Sequence, residues 1–244
     1  MRIAVVGGTG VVGRRVVEEV TGTGHEAVVV SRSDGVDLLT GEGLDEALAG
    51  CEAVIDVSNS PGWSREEVEE FFTKGTGHLL DASARAGVRH LVVLSIVGSD
   101  VVDLDYYFGK RRQEELVTAG AVPWTVLRAT QFFEFAAQTL AGATGPVAQV
   151  PPMLSQPVAT ADVAARLVAL AVGEPRGYAP PIAGPERLRL VEMARRLVAR
   201  RGDDLRVEEA GESPEGMATG ALCPRGDHTE GSGTFADYLD SVRP

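Results

Sequence analysis

The chain is poor in several residue types on which other kinds of protein depend. Of its 244 residues only two are cysteine, Cys51 and Cys223, far apart and without C-x-x-C spacing, so neither a disulfide framework nor a zinc site is indicated. The four histidines, His25, His78, His90 and His228, form no ligand cluster, and no metal site is expected. No apolar run approaches the roughly 18 residues a membrane span needs, and Ile3–Val6 is too short for the apolar region of a signal peptide. Basic charge is also scarce. The 23 Lys and Arg face 35 Asp and Glu, a net charge of −12, and that field repels nucleic-acid phosphates and anionic headgroups. Nucleic acid and membrane are therefore not expected as partners, and a cytoplasmic location is expected. What remains is a globular composition, 44% hydrophobic and 24% charged, in one large or two small domains.

Short apolar runs alternate with amphipathic stretches up to about residue 128, the pattern of strand–helix–strand units and a parallel sheet. The runs predict strands at Ile3–Val6, Ala27–Val30, Ala53–Val57, Leu91–Leu94 and Thr125–Leu127. Helical patterns fall at Val11–Val20, Leu44–Leu48, Arg65–Ala86 and Tyr106–Ala119, the last ending at Gly120 before Pro123. The predicted fold class is α/β, a Rossmann-type doubly wound parallel sheet over residues 1–128. Beyond it the breakers Gly142, Gly145, Pro146, Pro151, Pro152 and Pro157 precede helical runs at Ala161–Ala171 and Leu190–Arg201. Residues 129–244 are expected to form a smaller C-terminal, substrate-side lobe packed on the core. Within it Gly211–Gly233 reads as a mobile loop, followed by Phe235, Tyr238 and Leu239 at helical spacing.

Directly after the first strand stands Gly7-Gly8-Thr9-Gly10-Val11-Val12-Gly13, a G-x-G-x-x-G run at a strand-to-helix junction. Such glycines permit a tight turn and close approach of backbone to a pyrophosphate, and the helix N-terminus favours the anion. Gly7, Thr9, Gly10, Val11, Val12 and Gly13 are thus candidate cofactor contacts. At the end of the second strand, where an acid would grip the ribose hydroxyls of NAD, the chain reads Val30-Ser31-Arg32-Ser33. The Arg32 guanidinium suits a 2′-phosphate, and Arg14 adds a second positive group, so NADP(H) is the expected cofactor in preference to NAD(H).

With these residues the chain resembles the atypical short-chain dehydrogenase/reductases, especially their NmrA-like and isoflavone-reductase-like NAD(P)H-binding branch. The resemblance rests on Gly7–Gly13, Arg32, Val36-Asp37-Leu38, Leu79-Leu80-Asp81-Ala82, Ala86–His90 and Leu94-Ser95. It continues through Tyr106–Lys110, Pro123–Arg128, Gln131-Phe132-Phe133 and Thr160–Ala164. It implies that Asp37 and Leu38 sit by the adenine. Ser58 and Asn59, with Ser60, would line the nicotinamide ribose, and Ala129, Thr130, Gln131 and Phe132 would face nicotinamide and substrate.

Tyr106 and Lys110 are four apart, so on a helix they share a face, in Y-x-x-x-K spacing. By resemblance Tyr106 gives a proton to a carbonyl oxygen while Lys110 holds the cofactor ribose and lowers the tyrosine pKa. In the isoflavone-reductase-like branch the lysine is itself the acid or base, and which of the two is the donor stays open. Of 23 basic residues only Lys74 and Lys110 are lysine. In a chain that otherwise uses arginine, the exception has a chemical reason, because lysine can shift its pKa and deliver a proton and arginine cannot. Ser95 is the third catalytic candidate, as a hydroxyl orienting the carbonyl, although Ile96 and Val97 follow where the extended pattern has more hydroxyls. Trp124, Phe132, Phe133, Phe135 and Met153 read either as core or as an apolar wall for substrate. The leading expectation is an NADP(H)-dependent oxidoreductase transferring hydride to or from a small, partly apolar carbonyl or enone. The alternatives are an NmrA-like NADP-sensing regulator without catalysis and a non-redox isomerase or epimerase. The sequence leaves the oligomeric state open.

Overall fold

The structure, a computed structural model, describes residues 1–242. Its first half alternates strands and helices in chain order: β1 (Arg2–Val6), α1 (Val11–Gly22), β2 (Glu26–Val30), α2 (Leu44–Leu48), β3 (Ala53–Asp56), α3 (Arg65–Ala86), β4 (His90–Ile96), α4 (Asp105–Ala119) and β5 (Trp124–Ala129). The second half holds α5 (Phe135–Ala141), β6 (Val147–Val150), β7 (Leu154–Ser155), α6 (Thr160–Ala171), β8 (Gly177–Tyr178), β9 (Ile182–Ala183) and β10 (Leu188–Arg189). It closes with α7 (Leu190–Arg201), β11 (Arg206–Glu209), β12 (Thr229–Glu230) and α8 (Phe235–Ser241).

The central sheet runs β12-β9-β5-β4-β3-β1-β2, with β8 also pairing with β5, and every pairing in it is parallel. Both faces of these strands are covered, which is why they read as continuous apolar runs. Successive residues of β1 serve opposite layers. Ile3 and Val5 join α1 and α6 on one face, whereas Ala4 and Val6 join α2, α3 and α4 on the other. In α1 the valines at 12, 16 and 20 form the stripe that meets the sheet. Helix α3 begins at a capping box, where Ser64 and Glu67 satisfy each other's backbone N–H, and ends at Gly87 with φ 70°.

The chain steps from β1 outward to β2 and then returns to β3 on the other side of β1. Strand order therefore reverses between β1 and β3, the point at which a crevice opens beyond the carboxyl ends of the strands. Residues past 128 divide between two bodies. Helix α6 packs on α1, and β8, β9 and β12 extend the central sheet. The remainder, with the β7–β10 and β6–β11 pairs, surrounds a second core that includes Phe133, Met153, Met193 and Phe235. Part of the expected mobile loop at Gly211–Gly233 is instead tied to the fold. Thr229 N donates to Pro181 O and Gly231 N to Ala183 O, which seats β12 on the sheet edge, and Leu222 is buried against the second core.

Candidate active site

The β1–α1 turn is determined by what its glycines lack. Gly7 has φ 78°, and a Cβ on it would lie 2.9 Å from Val57 O and 3.0 Å from Ser58 Cα. A Cβ on Gly13 would fall 2.0 Å from Gly7 O. Any side chain at either place would force the turn open. Gly10 N closes the turn on Gly7 O at 2.9 Å, and α1 then starts with Val11 exposed and Val12 and Gly13 buried. Thr9 and Gly10 are exposed, and Arg14, also exposed, bends back to donate to Thr9 O at 2.6 Å. A depression of about 410 Å³ beside the turn is lined by Gly8, Thr9, Arg14, Val17, Glu18 and Val29. Arg32 stands exposed on the short 3-10 turn Arg32–Asp34 after β2. Asp37 Oδ1 accepts from Leu39 N at 2.8 Å, while Leu38 lies against α3, its carbonyl paired with His78 Nδ1 at 2.9 Å. These residues fit a dinucleotide phosphate: a backbone cradle that a Cβ would fill, a helix N-terminus, and two accessible guanidinium groups beside it.

Across the crevice the β3–α3 loop is held from below. Buried Asp56 ends β3, and its Oδ1 accepts from Ser58 N at 2.9 Å. Its Oδ2 accepts from Gln113 Nε2 at 2.8 Å. Gln113 Oε1 in turn accepts from Lys110 Nζ, which also donates to Leu94 O at 2.7 Å. A chain of polar contacts thus runs from α4 to the loop bearing Ser58 and Asn59. The sequence pattern does not single out Asp56 or Gln113; the signal available was that Gln113 lies one turn from Lys110 and that Asp56 closes a strand beside the switch point.

Tyr106 and Lys110 share a face of α4, as their spacing predicts, but they occupy different depths. The Tyr106 hydroxyl donates to Asn59 Oδ1 at the crevice. Burial pushes that hydroxyl well above its ordinary pKa of 10, with the Asp56 charge adding to the effect. Lys110 is only 3% exposed, and its ammonium lies 4.6 Å from the centre of the Phe72 ring, which meets Tyr106 edge-on. Burial lowers its pKa to about 8, against the pull of Asp56 and Glu114. Ser95, at the carboxyl end of β4, is 1% exposed, and its Oγ has no hydrogen-bond partner among the described residues.

The remaining candidates separate. Thr130 is buried and spends its hydroxyl on Gln156 O at 2.6 Å. Gln131 Nε2 donates to the hydroxyl of Tyr107 at 3.0 Å, on the side of the second core, and its buried Oε1 is without a partner among the described residues. Phe132 packs partly buried on the α1–α6 layer. The aromatic residues considered as a wall are dispersed. Trp124 begins β5, at the end of the strand away from the crevice, and packs on Tyr178 at 5.5 Å, while Phe133 and Met153 are buried in the second core. A second cavity, about 300 Å³, reaches Arg128 and Tyr178. There Arg128 is held by both oxygens of Glu114 and by Asp100, so its charge is already matched.

Similarity to known proteins agrees with this geometry. The pattern of the NAD(P)H-binding family matches residues 7–173. A curated relative, the (4-alkanoyl-5-oxo-2,5-dihydrofuran-3-yl)methyl phosphate reductase of Streptomyces griseus subsp. griseus, is 32% identical over 240 residues, covering 86% of this chain and 77% of that protein. Among solved structures, UDP-glucose 4-epimerase of Thermotoga maritima superposes with a TM-score of 0.75 at 15% identity, covering 98% of this chain and 96% of that one. The NADPH-dependent quinone oxidoreductase of Escherichia coli, solved with NADPH, gives 0.67 at 19% identity, covering 86% and 78%. At these identities the two structures speak for the fold. From the glycine cradle at the β1–β3 switch point, the matched pattern and the reductase relative, the chain belongs to the NAD(P)H-binding family.

Proposed function

We propose that the protein is an NADP(H)-dependent reductase of a small, partly apolar conjugated carbonyl compound, with an enone as the foremost substrate and Tyr106 as the proton donor. The observation that carries this reading is the meeting of cradle and donor on one loop. Gly7 packs on Val57 and Ser58, and the next residue, Asn59, holds the Tyr106 hydroxyl. The reductase relative supports it, since the substrate in its name is an unsaturated lactone bearing an alkanoyl group. When bound, NADPH supplies the hydride. Gly7, Thr9, Gly10, Val11, Val12 and Gly13 would hold its pyrophosphate, and Arg32 with Arg14 the 2′-phosphate that separates NADP from NAD. Asp37 and Leu38 border the adenine side, and Ser58, Asn59, Gln131 and Phe132 the nicotinamide side.

The Tyr106 hydroxyl is protonated at neutral pH, as an ordinary phenol already is, and burial makes it hold that proton more tightly. It therefore acts as an acid, donating its proton to the substrate oxygen on which negative charge develops. Without substrate that O–H is donated to Asn59 Oδ1, and the substrate oxygen takes the place of Asn59 as its acceptor. Ser95 is the second candidate hydroxyl for the same oxygen, its buried Oγ having no partner among the described residues. Lys110 takes a different part from the one its spacing implies. With its ammonium bonded to Leu94 O and Gln113, it positions Asp56, and through Asp56 the Ser58–Asn59 loop.

The test pairs binding with turnover. Wild-type protein should bind NADPH in a nucleotide-fluorescence titration and reduce a cyclic enone. Tyr106→Phe should keep the NADPH affinity and lose roughly 100-fold or more in kcat. Unchanged kcat in Tyr106→Phe would remove the tyrosine from the chemistry. NADPH binding without turnover of any carbonyl compound would favour the regulatory reading, to which the internally bonded ammonium of Lys110 is the observation most congenial.

A further inference from the structure

Trp63 has no part in the proposed chemistry and is 68% exposed, more than any other described large apolar side chain. An isolated exposed apolar residue needs no explanation, but this one is held in place beside the donor. Its ring centre lies 5.8 Å from that of Tyr106 at an interplanar angle of 40°, and Phe72 also meets Tyr106, edge-on at 6.0 Å. The three rings form an aromatic ledge whose outermost member faces solvent.

The loop that carries Trp63 is fixed at both ends. Asp56 Oδ1 takes Ser58 N, Ser60 Oγ takes Gly62 N at 3.2 Å, and Glu67 Oε2 takes Ser64 N at 3.1 Å. Gly62 lies so close to α3 that a Cβ there would be 2.6 Å from Glu67 Cβ. An exposed indole on a loop already ordered loses little freedom when a ligand covers it, and rigid aromatic anchors of this kind bind planar groups well.

We propose that Trp63 is a specificity-determining residue that stacks on the substrate, so that the preferred substrates are planar conjugated carbonyl compounds with a ring attached to the enone. The inference rests on the reductase reading of the same crevice and narrows its substrate class. Ring stacking beside Tyr106 places the carbonyl oxygen near the donor hydroxyl and leaves the apolar part of the substrate on the exposed indole face.

Benzylideneacetone and ethylideneacetone test this, because they share one enone and differ by a phenyl ring in place of a methyl group. Affinity for each is measured by equilibrium dialysis, with and without NADP⁺, on wild type, Trp63→Ala and Trp63→Phe, and NADPH affinity is measured on the same three proteins. Trp63→Ala should weaken benzylideneacetone roughly three- to tenfold. Trp63→Phe should retain most of the binding, and ethylideneacetone and NADPH should be unaffected. Equal weakening of both enones, no weakening of either, or no detectable benzylideneacetone binding by a wild-type protein that binds NADPH would overturn the stacking role. Failure of wild type to bind NADPH would instead remove the reductase reading, and dialysis without nucleotide still reports on the ledge.

Discussion

The two walls of the crevice are made of different material. On the β1–α1 side the shape is backbone: the nearest atoms that a Cβ on Gly7 or Gly13 would strike are all main-chain carbons, nitrogens and oxygens. On the side of β4, α4 and the loop after β5 the shape is side chain. Here Tyr106, Asn59, Gln113 and Asp56 form the surface and its support, and Ser95 Oγ and Gln131 Oε1 are buried without partners among the described residues. A buried polar atom left unpaired costs about 1–3 kcal/mol, a cost that a ligand bonding to it would relieve. A backbone cradle serves any dinucleotide of the same geometry, whereas a side-chain wall can change its substrate one residue at a time. On the proposed reading the nucleotide half is therefore the general part of the molecule and the substrate half its particular part.

The sharpest way to break that contrast is a methyl group on the backbone wall. In Gly13→Ala the new Cβ would have to move away from a carbonyl oxygen 2.0 Å distant, so the turn or the start of α1 must shift. A displacement of this order is expected to weaken NADPH binding about 100-fold or more and to lower stability by about 1–3 kcal/mol. Nucleotide titration and thermal unfolding read the two effects. Retention of wild-type affinity would mean that the cradle adapts as a side-chain wall does.

The contrast also explains which parts of the molecule were legible in the sequence. The glycine spacing records local backbone geometry, and such geometry is specified by neighbours in sequence. The same holds for α3, whose capping box at Ser64 and Glu67 and terminal Gly87 lie within the element, and the predicted bounds Arg65–Ala86 match it. The substrate wall depends on which residues the fold brings together. The Asp56–Gln113 contact spans 57 positions and leaves no periodic trace. Strand β12 is two residues long and finds its place through backbone bonds to the chain around β9, so glycine-rich composition suggested a loop. Trp124 was grouped with Phe132 and Phe133 by nearness in sequence. Yet a residue that opens a parallel strand lies at the end opposite the crevice.

Arg32 gives an intermediate effect, since it adds a side chain to the backbone wall. It is exposed after β2 and belongs to none of the described ion pairs. One charge-assisted hydrogen bond to the 2′-phosphate is worth about 1.5–3 kcal/mol, so Arg32→Ser should lower the preference for NADPH over NADH roughly 10- to 150-fold. The affinity for NADH should stay near that of wild type. An equal loss for both nucleotides would show that Arg32 shapes the wall and does not read the phosphate.

A pH dependence tests the depth of the substrate wall. Lys110 releases its proton near pH 8 in the folded chain, against an ordinary value of 10.5, because burial disfavours the ammonium. Below pH 8 both the folded and the unfolded chain carry the proton, so the desolvation cost is present in full and stability does not vary with pH on this account. Between about 8 and 10.5 the unfolded chain binds more protons than the folded one, and stability must rise with pH. Relative to Lys110→Met, which lacks the group, wild type should gain about 2 kcal/mol between pH 8 and pH 10 in denaturant unfolding. Tyr106 does not obscure this window, because its raised pKa makes the opposite contribution only above its ordinary value of 10. Parallel curves for the two proteins would mean that the ammonium reaches water at the crevice. Lys110 would then join Tyr106 at the surface of the wall instead of supporting it from beneath.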